Sequence, residues 1–189
     1  MIDQAEFLAR LGALLAESGI SFMVSGSIAS NVHGEPRMTN DIDIVIDPSA
    51  KSLQRFLNSV PNDWYVSAPA AMQALGARTM FNVIDAQNGW KADLIIRKNR
   101  PFSDKEFERR QINDVLGNRL PIVTVEDSIL SKLEWSRESQ SQQQFRDAQR
   151  MATVNRTTLD RAYLTEWASQ LGVSELLNQL LAELDRTTK

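Results

Sequence analysis

The sequence predicts a mixed α/β fold that is followed by a helical C-terminal part. Short apolar runs, such as FMVS and DIDIVI, have the length and alternation of β-strands. The dipeptide Asn88-Gly89 lies between two further runs of this kind and is a strong signal for a β-hairpin. From residue 125 onwards, apolar residues recur at helical spacing instead. We therefore expect an α/β core over residues 1–124 and a helical part over residues 125–189.

The N-terminal half of the chain alternates between helix and strand. Apolar residues at helical spacing predict an amphipathic helix over residues 3–18, and Gly19 ends it. The elements expected next are a strand over 22–25, a short helix over 27–33, a strand over 41–46, a helix over 49–59, a short strand over 64–66 and a short helix over 69–77.

The remaining strands form a hairpin and one further strand. The runs MFNVID and WKADLII flank the turn at Gln87-Asn88-Gly89. NRLPIVT at 118–124 is a further strand, and Pro121 places it at the edge of the sheet because proline has no amide hydrogen to donate. Four helices are expected after it, over residues 125–138, 142–154, 158–171 and 173–186.

Composition and charge exclude several classes of protein. The 189 residues carry a formal net charge of −3, so there is no overall basic surface for nucleic acid. The absence of cysteine excludes disulfides, thiolate metal sites and thiol catalysis. The N-terminal residues MIDQAEFLAR do not resemble a signal peptide, and no apolar run approaches the roughly 20 residues that a membrane helix needs. We expect no membrane association and a cytoplasmic location.

Two carboxylates at alternate positions of one predicted strand form the main candidate site. Asp41 and Asp43 point to the same side of that strand, while Ile42, Ile44 and Ile46 point to the other side, into the core. Neighbouring carboxylates repel each other unless they are protonated or bridged by a cation. Hard divalent ions, Mg²⁺ above all, prefer such oxygen ligands. The pattern therefore predicts a metal site at Asp41 and Asp43.

The Gly26-Ser27 step lies where the first strand passes into a short helix. Backbone N–H groups at the start of a helix bind phosphate, and glycine permits a close approach to the backbone. Ser27 can also cap the helix, and the two roles are compatible. A phosphate element beside a metal element indicates nucleotide chemistry.

These residues resemble a known signature. Gly26-Ser27, followed after thirteen residues by Asp41-Ile42-Asp43, is similar to the pattern of the nucleotidyltransferase superfamily, whose fold is that of polymerase β palms. The surrounding residues HGEPRMTNDIDIVI resemble the small prokaryotic members, which include minimal nucleotidyltransferases and abortive-infection (AbiEii-like) toxins. The resemblance implies a third carboxylate on a later strand, and Asp93 in WKADLIIRK is the candidate. Asp93 would then share a second metal ion and could assist deprotonation of the attacking hydroxyl.

The resemblance also implies further contacts with the nucleotide. Arg37 matches the family's Pro-Arg-x-Thr step, where a phosphate contact and a structural ion pair both remain open. The pattern EDxxxxKL places Lys132 where a lysine of the toxins reaches the nucleotide phosphates, and Asp147 matches an acid on the next helix. Lys132 could instead face solvent, and Asp147 could pair with Arg146 or Arg150.

The implied activity is the Mg²⁺-dependent or Mn²⁺-dependent transfer of a nucleoside monophosphate from an NTP, such as ATP, to a hydroxyl group. An RNA or tRNA end, a protein side chain and a small molecule such as an antibiotic all remain open as acceptors. The toxin-like branch implies an antitoxin protein as partner, and a minimal nucleotidyltransferase could act with a separate helical partner. A non-catalytic protein that binds a nucleotide is the alternative outside enzymes.

Other conspicuous residues have simpler interpretations. His33 is expected to make a hydrogen bond at the junction of helix and loop rather than to act as a base. We expect the four tryptophans to pack in the core: Trp64, Trp90, Trp135 and Trp167. Several basic side chains between residues 97 and 119 form a solvated face or, less simply, guide an RNA acceptor: Lys98, Arg100, Arg109, Arg110 and Arg119.

Overall fold

The computed structural model describes residues 2–186, which divide into two compact units. The first unit comprises residues 2–28 and 38–122, and the second comprises residues 29–37 and 123–186. The helices are α1 (Gln4–Glu17), α2 (Gly26–His33), α3 (Ala50–Ser59), α4 (Ala68–Ala77), α5 (Pro101–Arg109), α6 (Val125–Ser139), α7 (Gln142–Val154), α8 (Arg161–Leu171) and α9 (Ser174–Arg186). The strands are β1 (Ser21–Ser25), β2 (Asp41–Asp47), β3 (Trp64–Val66), β4 (Met80–Asp85), β5 (Trp90–Ile96), β6 (Gln111–Val115) and β7 (Asn118–Ile122).

All of these strands join one seven-stranded sheet in the first unit, in the order β3-β4-β5-β2-β1-β7-β6. The pairs β2–β5 and β1–β7 are parallel, and the other neighbours are antiparallel. The predicted mixed α/β fold is therefore confirmed. The sheet places β5 directly beside β2, although the chain forms two helices and two strands between them.

One face of the sheet belongs to the core of the first unit. The isoleucines of β2 at 42, 44 and 46 are buried, and so are Ala92, Leu94 and Ile96 of β5. The amphipathic helix α1 packs against β1 and β7, and it buries Phe7, Leu8, Leu11 and Leu15 completely. Burying apolar area in this way is the main stabilising contribution. Alternation along β2 and β5 then leaves their polar residues on the opposite face.

The second unit is helical after residue 123. Helix α6 packs against α7 and α8, and α9 packs against α7 and α8. Thr124 caps α6, since its side chain accepts a hydrogen bond from the Asp127 amide. The Asp127 carboxylate is fully buried and accepts a 2.5 Å hydrogen bond from the Tyr163 hydroxyl, which links α8 to α6.

The sequence pattern did not predict helix α5 or strand β6, and it placed strand β7 wrongly at the edge of the sheet. Helix α5 begins with Pro101, a favourable first helical residue, and buries Phe102 and Phe107. Strand β6 forms a hairpin with β7 through Leu116 and Gly117, which both have positive φ. Strand β7 is consequently not an edge strand. Its only register pair with β1 is at residue 122, so the missing amide of Pro121 interrupts no ladder there.

The remaining boundaries agree closely with the pattern. Helix α8 starts at Arg161 rather than at residue 158, because Asp160 supplies the cap and accepts a hydrogen bond from the Tyr163 amide. Within residues 2–186, no helix has both the length and the apolar character needed to cross a membrane.

Candidate functional site

The three predicted carboxylates share one face of the sheet. In the parallel pair β2–β5, Asp43 is the register partner of Asp93, and Asp41 is the partner of Lys91. Asp41 is exposed, and Asp43 and Asp93 are half-buried. Side chains in register on neighbouring strands project to the same side, so Asp41, Asp43 and Asp93 form a carboxylate patch. The structure thus brings together the acids that the sequence predicted would meet.

The Asp43 carboxylate lies against the Cα of Gly26. A Cβ atom added at Gly26 would lie 1.9 Å from Asp43 Oδ2 and 2.7 Å from Asp43 Cβ, which is a severe overlap. Gly26 also has a φ of +61°, in the left-handed region that favours glycine. The Gly26-Ser27 step and Asp43 therefore lie in direct contact. Because Gly26 has no side chain, the Asp43 carboxylate has room beside its Cα. Ser27, the second residue of α2, is half-buried.

Asp93 is held by two donors that sequence reasoning did not assign to the site. Lys91 Nζ lies 3.1 Å from Asp93 Oδ1, and Asn82 Nδ2 donates a 2.5 Å hydrogen bond to the same oxygen. Asn82 is the register partner of Asp93 on β4. Alternation alone places Lys91 on the face of Asp93, but only the observed rotamers show the ion pair.

The donor chemistry of the carboxylate patch fits a divalent cation. Asp41 and Asp43 supply the oxygen ligands that Mg²⁺ prefers, and Gly26 leaves space for the Asp43 carboxylate. Asp93 Oδ1 is already engaged by Lys91 and Asn82. Within residues 2–186, no group of three or more His, Cys, Asp or Glu side chains is arranged to hold a metal ion.

The other predicted nucleotide contacts meet in the second unit. The Arg37 guanidinium binds the Asp147 carboxylate through two atoms, with Nε to Oδ1 at 3.2 Å and Nη2 to Oδ2 at 3.0 Å. Lys132 Nζ lies 3.4 Å from Asp147 Oδ2, and Gln143 Nε2 donates to Oδ1 at 2.7 Å. We call these four residues the Asp147 cluster. The alternatives in which Lys132 faces solvent, or Asp147 pairs with Arg146 or Arg150, are wrong.

Burial and charge set the ionisation of this cluster. Asp147 and Lys132 are 2% and 8% exposed, while Arg37 is 30% exposed. Burial by itself would raise the pKa of Asp147, but the Arg37 hydrogen bond, the Lys132 charge and the Gln143 hydrogen bond together lower it below its ordinary value. Asp147 is therefore a carboxylate at neutral pH, and the cluster keeps one net positive charge.

The loop that carries Arg37 is tied to α2. Asn31 Nδ2 donates to the Arg37 carbonyl at 2.7 Å, and the Arg37 amide donates to Asn31 Oδ1 at 3.0 Å. His33, at the end of the same helix, has its Nε2 2.7 Å from the Val123 carbonyl oxygen. This contact is the junction hydrogen bond expected of His33. Burial is the larger effect on its pKa and lowers it, against the carbonyl contact and the charge of Glu126, which raise it.

Three other conspicuous residues, Arg100, Arg110 and Trp64, contribute to packing. Arg100 lies over the Phe102 ring at 5.6 Å and Arg110 over the Phe107 ring at 4.3 Å, so these two arginines cover aromatic side chains of α5. Trp64 packs against Phe7 with ring centroids 4.7 Å apart. Trp135 does not belong to the core, because 58% of its side chain is exposed on α6.

No family model matches the sequence, and no curated protein matches it. Solved structures nevertheless share its architecture. An antigenic nucleotidyltransferase-like protein from Paracoccidioides brasiliensis superposes with a TM-score of 0.67 over 97% of this chain and 90% of that protein, at 15% identity. The chain has the nucleotidyltransferase fold. The chain order of the fold, with Gly26-Ser27 after β1 and the carboxylates on β2 and β5, is the one that the resemblance implied.

Two further nucleotidyltransferase structures are similar over nearly the whole chain. The antibiotic-resistance factor ANT(2'')-Ia has a TM-score of 0.54 at 11% identity, covering 98% of this chain and 96% of that protein. A structure of ANT(2'')-Ia in complex with adenylyl-2''-tobramycin has a TM-score of 0.50 at 12% identity, covering 98% and 99%. At identities this low, the superpositions establish a common fold and nothing further.

Proposed function

We propose that this protein is a nucleotidyltransferase, which moves a nucleoside monophosphate from an NTP to a hydroxyl group and releases pyrophosphate. The observation that carries the proposal is the carboxylate patch. Asp41, Asp43 and Asp93 lie on one face of two neighbouring strands in a sheet of the nucleotidyltransferase fold. Gly26 makes room for the Asp43 carboxylate at the start of α2, where backbone N–H groups suit phosphate.

The carboxylates have distinct roles in this proposal. Asp41 and Asp43 would hold Mg²⁺ or Mn²⁺, with Asp93 as the third acid of the patch. When bound, the ion supplies positive charge against the triphosphate and the departing pyrophosphate. The acceptor oxygen forms a bond to the α-phosphorus, the bond from that phosphorus to the pyrophosphate oxygen breaks, and Asp93 accepts the hydroxyl proton.

The Asp147 cluster supports a second set of nucleotide contacts. Arg37 and Lys132 share the Asp147 carboxylate, which holds both cations in place. We assign Gly26, Ser27, Arg37 and Lys132 to the nucleotide phosphates, and Asp147 to holding Arg37 and Lys132 in place. Arginine and lysine in fixed positions are the usual partners of phosphate oxygens.

Two classes of acceptor are worth testing. The residues HGEPRMTNDIDIVI and the EDxxxxKL pattern resemble the toxin-like branch, which favours an RNA or tRNA end or a protein, a cytoplasmic location and an antitoxin partner. The second candidate is a small antibiotic. It is favoured by the fold shared with ANT(2'')-Ia, whose structure holds adenylyl-2''-tobramycin.

The experiment that tests the function follows label from each α-³²P-NTP with Mg²⁺. Total RNA, the protein itself and an aminoglycoside panel serve as acceptors in parallel reactions. Label transfer that chelation abolishes, accompanied by pyrophosphate, would support the proposal, and the labelled species would identify the acceptor class. Nucleotide binding without transfer to any acceptor would contradict the enzyme and favour the non-catalytic alternative.

A matched pair of variants assigns the activity to the carboxylate patch. Asp43→Asn keeps the shape of the side chain and removes its charge, and it should lower transfer at least about 100-fold. Asp47→Asn makes the same change on the same strand, where Asp47 pairs with Arg97 at 3.1 Å instead. It should retain transfer. Equal activity of Asp43→Asn and Asp47→Asn would rule out the metal assignment.

A further inference from the structure

The carboxylate patch contains its own cation. Lys91 is the register partner of Asp41, and Asp93 is the partner of Asp43, so the four charged side chains occupy two adjacent rows on one face. Asp41 and Asp43 follow one another on β2, and Lys91 and Asp93 do so on β5. An ammonium group therefore lies on the same face of the sheet as the three carboxylates.

Lys91 is bound to the acid that is farther from Gly26. Its Nζ lies 3.1 Å from Asp93 Oδ1, whereas Asp43 lies against the Cα of Gly26. Asn82 Nδ2 donates to the same Asp93 oxygen, so Oδ1 already has two donors. A metal ion bound through this oxygen would have to displace the ammonium group, because the two cations would repel each other at contact distance.

The charges of the patch favour one divalent ion over two. In the absence of nucleotide, three carboxylates and one ammonium group carry two net negative charges, which a single divalent cation balances. A second divalent ion would add two positive charges next to Lys91. Asp93 is 15% exposed and Lys91 is 44% exposed, so water screens this repulsion only in part.

We propose that Lys91 takes the place of a second metal ion at Asp93, so that the patch binds one divalent cation, at Asp41 and Asp43. This inference rests on the proposed metal-dependent function and states how that site is charged. Lys91 supplies the positive charge beside Asp93 that a second ion would otherwise supply, and Asn82 keeps the Asp93 carboxylate turned towards it.

Counting bound ions tests this without a known acceptor. Mn²⁺ is titrated into the full chain, alone and with a non-hydrolysable NTP analogue, and free Mn²⁺ is measured by electron paramagnetic resonance. The metal that the nucleotide binds by itself is subtracted. The wild type should bind one Mn²⁺ per chain. Lys91→Met keeps the aliphatic length of the side chain and removes its charge. This variant should bind a second Mn²⁺ with an affinity at least ten-fold higher than any affinity of the wild type for a second ion.

Three further variants test whether the number of bound Mn²⁺ ions depends specifically on the charge of Lys91 and on Asp43. Lys98→Met removes a lysine from an exposed position after β5 and should leave the count at one. Lys91→Arg keeps the positive charge and should also leave one ion. Asp43→Asn should lower affinity for the ion in the wild-type background. Circular dichroism confirms that each variant is folded.

The outcomes separate this inference from the proposed function. Two ions of equal affinity in the wild type and in Lys91→Met would overturn the role of Lys91 and leave the metal site standing. One ion in both proteins would also overturn it, because removal of the ammonium group would then open no site. No bound ion in any variant would overturn both the inference and the metal assignment, whereas label transfer tests the activity separately.

Discussion

At the scale of single residues, the contact between Gly26 and Asp43 makes a sharp prediction. Gly26→Ala would place a methyl group 1.9 Å from Asp43 Oδ2 and would force alanine to a φ of +61°. The left-handed backbone alone costs an L-residue about 1–2 kcal/mol. The overlap adds displacement of the carboxylate. We expect Mn²⁺ affinity to fall at least ten-fold, as measured by titration.

Gly117→Ala is the control for that variant. Gly117 also has a positive φ, of +79°, but no atom lies within 4 Å of the position that its Cβ would take. The thermal stability of Gly117→Ala should therefore decrease by an amount comparable to the backbone cost in Gly26→Ala. The Mn²⁺ affinity of Gly117→Ala should stay unchanged. Equal Mn²⁺ affinities in the two alanine variants would show that the Asp43 carboxylate does not need the space at Gly26.

His33 predicts a pH dependence of stability. Burial lowers its pKa below the ordinary value of 6.5, so the unfolded chain takes up a proton before the folded chain does. The contribution of neutral His33 is therefore fully present above about pH 6.5 and is lost as the pH falls below it, at most by about 1.4 kcal/mol per pH unit. Urea unfolding between pH 7.5 and 5 measures this slope.

The chain contains one histidine, which makes the assignment direct. His33→Gln retains a side-chain N–H for the Val123 carbonyl and does not titrate in this range. The free energy of unfolding of this variant should change less with pH than that of the wild type. The same slope in both proteins would place the titrating group elsewhere.

At the scale of elements, the Asp147 cluster joins α6, α7 and the loop before β2 within the second unit. Asp147→Ala would leave Lys132 buried and Arg37 half-buried without their shared carboxylate. Removing one partner of a buried ion pair costs roughly 3–5 kcal/mol, and the exposure of Arg37 places this case near the lower limit. We expect a loss of about 3 kcal/mol in urea unfolding.

Asp185→Ala offers the comparison at the surface. Asp185 pairs with Arg161 at 2.8 Å, but both side chains are largely exposed, so water replaces the lost partner. The unfolding midpoint of this variant should stay close to that of the wild type. If both alanine variants were equally stable, the buried position of the Asp147 cluster would contribute nothing to the fold.

At the scale of the whole molecule, the second unit takes its residues from two parts of the chain. Residues 29–37 belong to it together with residues 123–186. Gly34 packs closely against Met151, and Arg37 binds Asp147, 110 residues later in the sequence. A chain that ends at residue 122 would therefore keep the segment 29–37 and lose the residues on which it packs.

Limited proteolysis of such a chain tests this division. In a fragment of residues 1–122, the bond after Arg37 should be cleaved by trypsin at least about ten-fold faster than in the full chain, because the Arg37 side chain has lost Asp147 and the segment 29–37 has lost its packing against Met151. Mass spectrometry identifies the cut. Equal cleavage rates at Arg37 would show that the segment 29–37 is ordered without the helical part.

Much of the fold follows from local pattern. The strands β1, β2, β4 and β5 and the four C-terminal helices are readable because apolar spacing and turn residues act over a few neighbours. Helix α5 was missed because its buried residues are few, and its charged residues outnumber its apolar ones. The prediction that β7 is an edge strand was wrong because Pro121 removes one hydrogen-bond donor and does not determine which strands pair with β7. In the sheet, β7 lies between β1 and β6.

The sequence by itself determined that Asp41 and Asp43 share a face opposite a core of isoleucines, since alternation along a strand is a local property. It also determined, through Gly26-Ser27 and the spacing to these acids, which fold to expect. Only the tertiary structure decided that Asp93 lies beside Asp43, that Lys91 is bound to Asp93, and that Arg37 and Lys132 share Asp147. Strand register and ion pairing depend on which distant segments pack together, and that choice is made by the whole core.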